Sequence, residues 1–167
     1  MAVSSTNTLQ NIHSQVGAMA KKAMNSDFTV VIAGYDQFQF LTKQFPWAVL
    51  TPGEGVEVAA PMGTVEWQAS QVHVNQQGAI SLYETEDGMV DNMLVSMLVN
   101  GGTFDCVVYQ GTPERFTKAK RYRKCFINAE PVDRDWENRT QPMMVTGTLF
   151  YHYYGEDLDG NVDTIDG

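Results

Sequence analysis

The spacing of apolar residues is helical near the start of the chain and strand-like further on. Leu9, Ile12, Val16 and Met19 recur every three or four positions, as they do on one face of an amphipathic helix. Polar side chains just before this stripe offer oxygens that can cap a helix. We therefore predict a helical N-terminal arm over residues 1–27, ahead of the main domain.

From residue 28 onward, short runs of β-branched and aromatic residues alternate with turn-forming residues, which predicts strands. Residues 35–41 fit either a strand or a bend. Residues 64–74 and 79–83 predict a hairpin whose turn lies at residues 75–78. The other predicted strands cover residues 28–33, 104–110, 122–129 and 143–154.

One amphipathic helix interrupts these strands at residues 87–99, and Asp87 stands where a side chain can cap it. Strands with one internal helix indicate a mainly β domain over residues 28–155, a β-sandwich or barrel with one flanking α-helix. Extended N- and C-terminal arms complete the chain, the second being an acidic tail over residues 156–167. In the last strand, alternation predicts that four residues face the core: Val145, Leu149, Tyr151 and Tyr153.

Proline and glycine punctuate residues 45–63, which predicts a loop or an extended hairpin outside the central sheet. The segment is nevertheless rich in apolar side chains. Because a long apolar loop is not stable in water without cover, its own domain or a neighbour should pack on it. The apolar residues that need this cover include Trp47, Leu50, Val56, Val58 and Met62.

Charges are sorted by region. No Lys or Arg occurs between Lys43 and Arg115, and the tail after residue 155 is acidic. Between these regions lies a cluster that we call the basic run: Lys118, Lys120, Arg121, Arg123 and Lys124. It fits a solvated hairpin loop, a site for an acidic partner such as another copy of this chain, or a nucleic-acid site. The tail fits a solvated, mobile segment or one that docks on a partner.

The sequence offers little catalytic chemistry. Phosphate loops, the dinucleotide fingerprint, the nucleophile elbow and zinc-binding histidine pairs are absent, so we expect no enzyme, no cofactor and no metal site. Cys106 and Cys125 fit reduced core thiols, with a disulfide or a metal role as the alternatives. The net charge of −9 disfavours general attraction to nucleic acid, and no apolar run is long enough for a membrane span.

These patterns together resemble a phage tail tube protein of the contractile-tail kind. The punctuated segment at residues 45–63 resembles the family's long loop that reaches an adjacent ring. The strand pair at residues 64–83, the helix after it and the aromatic last strand at residues 145–154 follow in the family's order. The resemblance covers residues 28–155 and rests on pattern and length rather than on a diagnostic motif.

The resemblance implies hexameric rings that stack into an inner tail tube, with sheath and baseplate proteins as partners. DNA would pass through without specific binding, and the location would be the virion tail, after assembly in the host cytoplasm. An acidic lumen would repel DNA phosphates. The lumen candidates on predicted strands are Glu57, Glu66, Asp105 and Glu130.

The resemblance also assigns the uncovered apolar residues of the 45–63 segment to ring stacking, and the basic run to a neighbouring subunit or the sheath. Four alternatives remain open. They are the tube of a phage-like bacteriocin or secretion system, a tube-to-baseplate adaptor, a tail terminator, and a small ligand-binding β-barrel.

Overall fold

The computed structural model describes residues 5–161, and most of its regular structure is strand. The predicted mainly β fold is confirmed. The strands are β1 (Thr29–Ile32), β2 (Thr42–Gln44), β3 (Val56–Ala59), β4 (Val65–Gln68), β5 (Asn75–Tyr83), β6 (Phe104–Gly111), β7 (Phe116–Ala129), β8 (Met144–His152) and β9 (Asp157–Asp159).

The helices are α1 (Thr6–Ala18), α2 (Phe38–Leu41) and α3 (Met89–Val99), with a single 3₁₀ turn at Pro61–Gly63. Ser5 caps α1 by accepting a hydrogen bond from the Thr8 N–H at 3.2 Å, so the predicted N-terminal helix is confirmed. The segment at 35–41 contains a turn and α2 rather than a strand. Among the helices of residues 5–161, none has the length and apolar character that crossing a bilayer requires.

A seven-stranded antiparallel sheet forms the body, and it curls into a half-barrel. Its strand order is β1-β6-β7-β8-β5-β2, with β9 paired to β7 beside this path. Strand β7 has β6 on one edge and two partners in succession on the other. There β9 pairs with Lys118–Lys120, and β8 pairs from Arg123 onward. The change of partner coincides with a left-handed backbone at Lys124, where φ is 47°.

The core lies inside the curl of the sheet. It combines Val30 and Ile32 of β1 and Leu82 of β5 with Val90 and Met97 from the inner face of α3. Tyr122 is fully buried near its centre, and its ring stacks on Tyr151 at a centroid distance of 4.6 Å. The predicted core-facing set of the last strand is confirmed, since all four members are buried: Val145, Leu149, Tyr151 and Tyr153.

The hairpin predicted with a turn at residues 75–78 is wrong, because these residues lie inside the continuous strand β5. That strand pairs with β8 along its whole length. Gly78 is needed for close packing: a Cβ there would lie 2.5 Å from Cβ of Pro46. The segment at 65–68 instead forms β4, which pairs with β3 in a separate hairpin.

Glu84 caps helix α3, and the predicted cap at Asp87 is wrong. Oε1 of Glu84 accepts hydrogen bonds from the N–H groups of Thr85 and Val90, both at 2.9 Å. Oε2 accepts from the N–H of Asp91 at 3.0 Å. A carboxylate from the preceding loop therefore satisfies the free amides at this helix start, where negative charge is favoured.

Candidate assembly surfaces

An exposed hairpin projects from the body, and we call residues 51–73 the arm. Its root is a short ladder in which Gly53 N–H donates to the Gln71 carbonyl, and His73 N–H to the Thr51 carbonyl, both at 2.9 Å. Strands β3 and β4 follow, and every residue of both is exposed. At the tip, Met62 is fully exposed with φ of 62°, a left-handed backbone that costs a non-glycine residue about 1 kcal/mol.

Both faces of the arm carry apolar side chains together with one glutamate. Paired residues in a hairpin share a face. Val58 pairs with Glu66, and Glu57 pairs with Trp67. The lumen candidates Glu57 and Glu66 therefore point to opposite faces, so a single face of the arm presents only one of them. Trp67 is 74% exposed, although its ring lies against Gly55.

The arm continues from an anchor loop, residues 45–50, that crosses the sheet. The Tyr122 hydroxyl of β7 accepts a hydrogen bond from Ala48 N–H and donates one to the Pro46 carbonyl, both at 2.7 Å. Burial raises the pKa of Tyr122 well above its ordinary value, so the hydroxyl stays neutral. Gln76 of β5 adds a hydrogen bond from its amide nitrogen to the Val49 carbonyl at 2.9 Å.

Lys120 is the one member of the basic run with a buried side chain, at 6% exposure. Its ammonium donates to the Ala48 carbonyl and lies 4.9 Å from the ring centroid of Trp47 and 5.2 Å from that of Tyr153. Such a cation between two rings is attracted by their faces. Burial, followed by repulsion from Lys118, lowers the pKa of Lys120. Lys120 therefore positions the anchor loop from beneath.

The basic run lies in strand β7, so its assignment to a solvated hairpin loop is wrong. Its nearest acidic partner is the C-terminal segment of the same chain. Lys118 Nζ lies 3.3 Å from Asp157 Oδ2, and Arg123 makes a two-pronged contact with Glu156 at 2.9 and 2.8 Å. The predicted contact of these cations with a neighbouring subunit or sheath stays a prediction, and within residues 5–161 Arg121 and Lys124 form no ion pair.

Strand β9 forms part of the sheet, which corrects the prediction of a mobile acidic tail for residues 157–159. Asn161, just after β9, holds the end of this strand against the start of β7. The side-chain oxygen of Asn161 accepts a hydrogen bond from Phe116 N–H at 2.9 Å, and its amide nitrogen donates one to the Glu114 carbonyl at 2.7 Å. Gly160 lies so close to β7 that a Cβ would stand 2.3 Å from the Thr117 carbonyl oxygen. The predicted tail after residue 161 lies outside the described residues.

Electrostatics reinforce the contact between β9 and β7. The hydrogen bond from Arg123 holds the pKa of Glu156 below its ordinary value and raises that of Arg123. Burial alone would raise the pKa of Asp157. Hydrogen bonds from Tyr153 and Lys118 outweigh this effect and lower the pKa of Asp157. Both carboxylates are therefore ionised at neutral pH.

The other two lumen candidates lie away from the arm. Asp105 accepts a hydrogen bond from Lys124 N–H at 3.0 Å and approaches Arg123 at 3.6 Å, so it stabilises the left-handed bend of β7. Glu130 is exposed just past the end of β7 and is held through its own N–H to the Thr146 carbonyl at 2.9 Å. Their predicted place in a lumen stays a prediction, as does that of the two arm glutamates.

The groups that could support chemistry are buried or dispersed. Cys106 and Cys125 are buried free thiols with their sulfurs 3.8 Å apart, as predicted for core residues, and burial raises the pKa of Cys106. Among residues 5–161, no three His, Cys, Asp or Glu side chains gather as metal ligands. An open cleft of about 450 Å³ beside the anchor loop has Asp27 and Lys43 as its charged lining residues.

Solved structures with a similar fold include chains from the anti-feeding prophage and from an extracellular contractile injection system. A chain of the anti-feeding prophage baseplate structure matches with a TM-score of 0.56 and 14% identity, over 86% of this chain and 100% of that one. A chain of the anti-feeding prophage cap structure matches with a TM-score of 0.51 and 13% identity, over 81% of this chain and 91% of that one. A third match is a chain of the PVC sheath–tube complex, an extracellular contractile injection system, in its extended state. Its TM-score is 0.51 at 13% identity, over 93% of this chain and 97% of that one.

No protein-family model matches the chain, and no curated protein matches it in sequence. At 13–14% identity, the structural likeness shows a shared fold. The structure agrees with the sequence patterns in being mainly β with one main flanking helix, and the arm begins within the punctuated segment.

Two features of the site escaped sequence reasoning. Trp67 was not among the predicted contact residues, although it is more exposed than Trp47. The alternation of Val65 and Trp67 beside a second apolar strand was the signal that could have found it. The pairing of Lys118 with Asp157 was signalled only by opposite charges about 40 residues apart, which fix no partner by themselves.

Proposed function

We propose that this protein is a structural subunit of a contractile-tail-type assembly, and that its copies form hexameric rings that stack into an inner tail tube. The observation that carries the proposal is the exposed arm. A monomeric protein rarely leaves a contiguous apolar hairpin in water, and such a patch marks a surface that meets another protein. The shared fold with injection-system components supports the same reading.

The edges of the sheet support ring formation. Strands β1 and β2 each have one partner and end the path of the half-barrel. An unpaired strand edge is a template for another strand, and closing a sheet removes such edges. Six half-barrels joined edge to edge would form one continuous barrel, with the arm left free to reach the next ring. Head-to-tail contacts of this kind do not close, so the stack grows along its axis.

The charge distribution supports passage of DNA through the tube without binding. The chain carries a net charge of −9, and its ion pairs within residues 5–161 involve Lys118 and Arg123. These cations are therefore partly neutralised before any polyanion approaches. A lumen that includes the acidic candidates would repel phosphate rather than hold it.

Electron microscopy of the purified full-length protein in negative stain tests the proposal. We expect hollow tubes of stacked rings. Single rings that never stack would favour the alternative of an adaptor or terminator. Monomers at every concentration and salt condition would refute the structural role.

A matched pair of tryptophan variants tests the part played by the arm. Trp67→Ser should give a folded protein that no longer stacks, because it removes the largest apolar side chain of the arm. Trp136→Ser is the control, since Trp136 is even more exposed, at 86% against 74%, but lies in the loop before β8. Equal stacking by both variants would contradict the role of the arm.

A further inference from the structure

Helix α1 has an apolar face that the rest of residues 5–161 leaves uncovered. Leu9, Ile12, Val16 and Met19 are each more than half exposed, and no residue of α1 is buried. Its side-chain hydrogen bonds are local to the helix start. Because an isolated helix of 13 residues is marginal in water, α1 needs a surface on which to pack.

The outer face of helix α3 offers such a surface. The inner face supplies Val90 and Met97 to the core, whereas Val95, Leu98 and Val99 are each more than half exposed. The exposed three lie within the last two turns of α3, where the outer face is apolar and uncharged. Two uncovered apolar helix faces thus occur in one chain.

Charges at the ends of the two helices determine how they fit. The apolar stripe of α1 is followed by Lys21 and Lys22, and the apolar patch of α3 is preceded by Asp87 and Asp91. Laid antiparallel, the two apolar faces overlap and the lysine pair comes beside the aspartate pair. A parallel arrangement separates these charges by the length of a helix. The lengths also agree, at roughly 20 Å and 16 Å for 13 and 11 residues at 1.5 Å per residue.

We propose that α1 of one copy docks antiparallel on the outer face of α3 of a second copy. A second copy is the occupant because α1 buries nothing against its own body. Two helices this short bury less than the roughly 1,200 Å² of a stable interface, so the contact adds to others. Because the helix contact needs these other contacts, the inference rests on the proposed assembly. The residues that make the helix contact lie outside the arm and outside the sheet edges.

Disulfide trapping between two differently tagged copies tests the contact. One copy carries Ile12→Cys and the other carries Leu98→Cys, which face each other in the antiparallel register, while the natural thiols Cys106 and Cys125 are buried. Mild oxidation should give a mixed dimer that forms at least about tenfold more than with Ser14→Cys, which lies on the opposite face of α1. Equal trapping by Ser14→Cys, or trapping only within a doubly substituted single chain, would overturn the inference.

Charge reversal provides a second test of the contact. Lys21→Glu with Lys22→Glu should reduce trapping by at least about tenfold, which corresponds to 1.4 kcal/mol. A partner with Asp87→Lys and Asp91→Lys should restore it, a recovery that general damage to either copy does not produce. No rescue would overturn the antiparallel register.

Microscopy of the same samples separates this inference from the proposed function. Tubes or rings without the mixed dimer overturn the helix contact and leave the structural role intact. A mixed dimer without any particles supports the contact and refutes the ring-forming role. If neither appears, both are refuted.

Discussion

Removing the Tyr122 hydroxyl is the most direct perturbation of the arm's attachment. This oxygen bridges the Ala48 N–H and the Pro46 carbonyl of the anchor loop at 2.7 Å each. Tyr122→Phe keeps the ring and its stacking on Tyr151, so packing is unchanged and only the two hydrogen bonds are lost. The variant therefore measures how firmly β7 holds the loop that leads into the arm.

The expected cost follows from the two groups left without a partner. Ala48 is fully buried, and a buried donor or acceptor without a hydrogen bond costs about 1–3 kcal/mol. A carbonyl tolerates this loss better than an N–H, which places the sum at about 2–4 kcal/mol. For a chain of 167 residues this corresponds to a fall in Tm on the order of 10 °C.

Urea denaturation gives the free energy of unfolding, and hydrogen exchange at the Ala48 amide reports the local effect. The midpoint should fall at an unchanged m-value, and Ala48 protection should fall by more than that of the β5–β8 ladder. Tyr154→Phe is the control, because Tyr154 is more than half exposed to water, so loss of its hydroxyl leaves no buried group without a partner. A change within about 0.5 kcal/mol, or unaltered Ala48 protection, would refute the reasoning.

Two further predictions concern β9. The pKa values of Glu156 and Asp157 are lowered in the folded state. Their contribution to the free energy of unfolding is therefore complete above the ordinary pKa values of 4.5 and 3.8, and it is lost as pH falls through the lower pKa values of the folded state. Between about pH 6 and pH 2, the free energy of unfolding should fall less steeply in the double variant Glu156→Gln, Asp157→Asn than in the unsubstituted protein. Equal slopes for the two proteins would contradict this. Gly160→Val places a side chain against the Thr117 carbonyl and should release β9 to limited proteolysis, whereas Gly17→Ala, with open space around it, should not; equal cleavage rates would argue against a packed β9.

Local patterns in the sequence were sufficient for most elements of the fold. The stripe of α1 and the alternation of β8 each depend on neighbouring residues, so both could be read from a single segment. The core-facing set of β8, with Leu149 and Tyr151 among it, followed from alternation alone. The punctuated segment likewise predicted a loop or extended hairpin outside the central sheet, and its residues 51–63 form the first half of the arm.

The errors arose where distant parts of the chain decide the local structure. Gly78 stands in a strand because Pro46 packs directly over it, and sequence reasoning took the glycine for a turn. The charged residues of β7 suggested a loop, but Asp157 neutralises Lys118 across the strand and Trp47 covers Lys120. Such pairings are set by the tertiary fold and override local propensity.

The contacts of Lys120 connect the C-terminal segment to the arm. Its ammonium is enclosed by the ring of Tyr153 and by the anchor loop, whose Ala48 carbonyl accepts its hydrogen bond. Tyr153 in turn donates a hydrogen bond to Asp157 of β9. Release of β9 therefore removes the partner that orients Tyr153 and exposes the ammonium to water, where its attraction to the rings and the carbonyl weakens. Because the arm continues from this loop, we expect release of β9 to loosen the root of the arm.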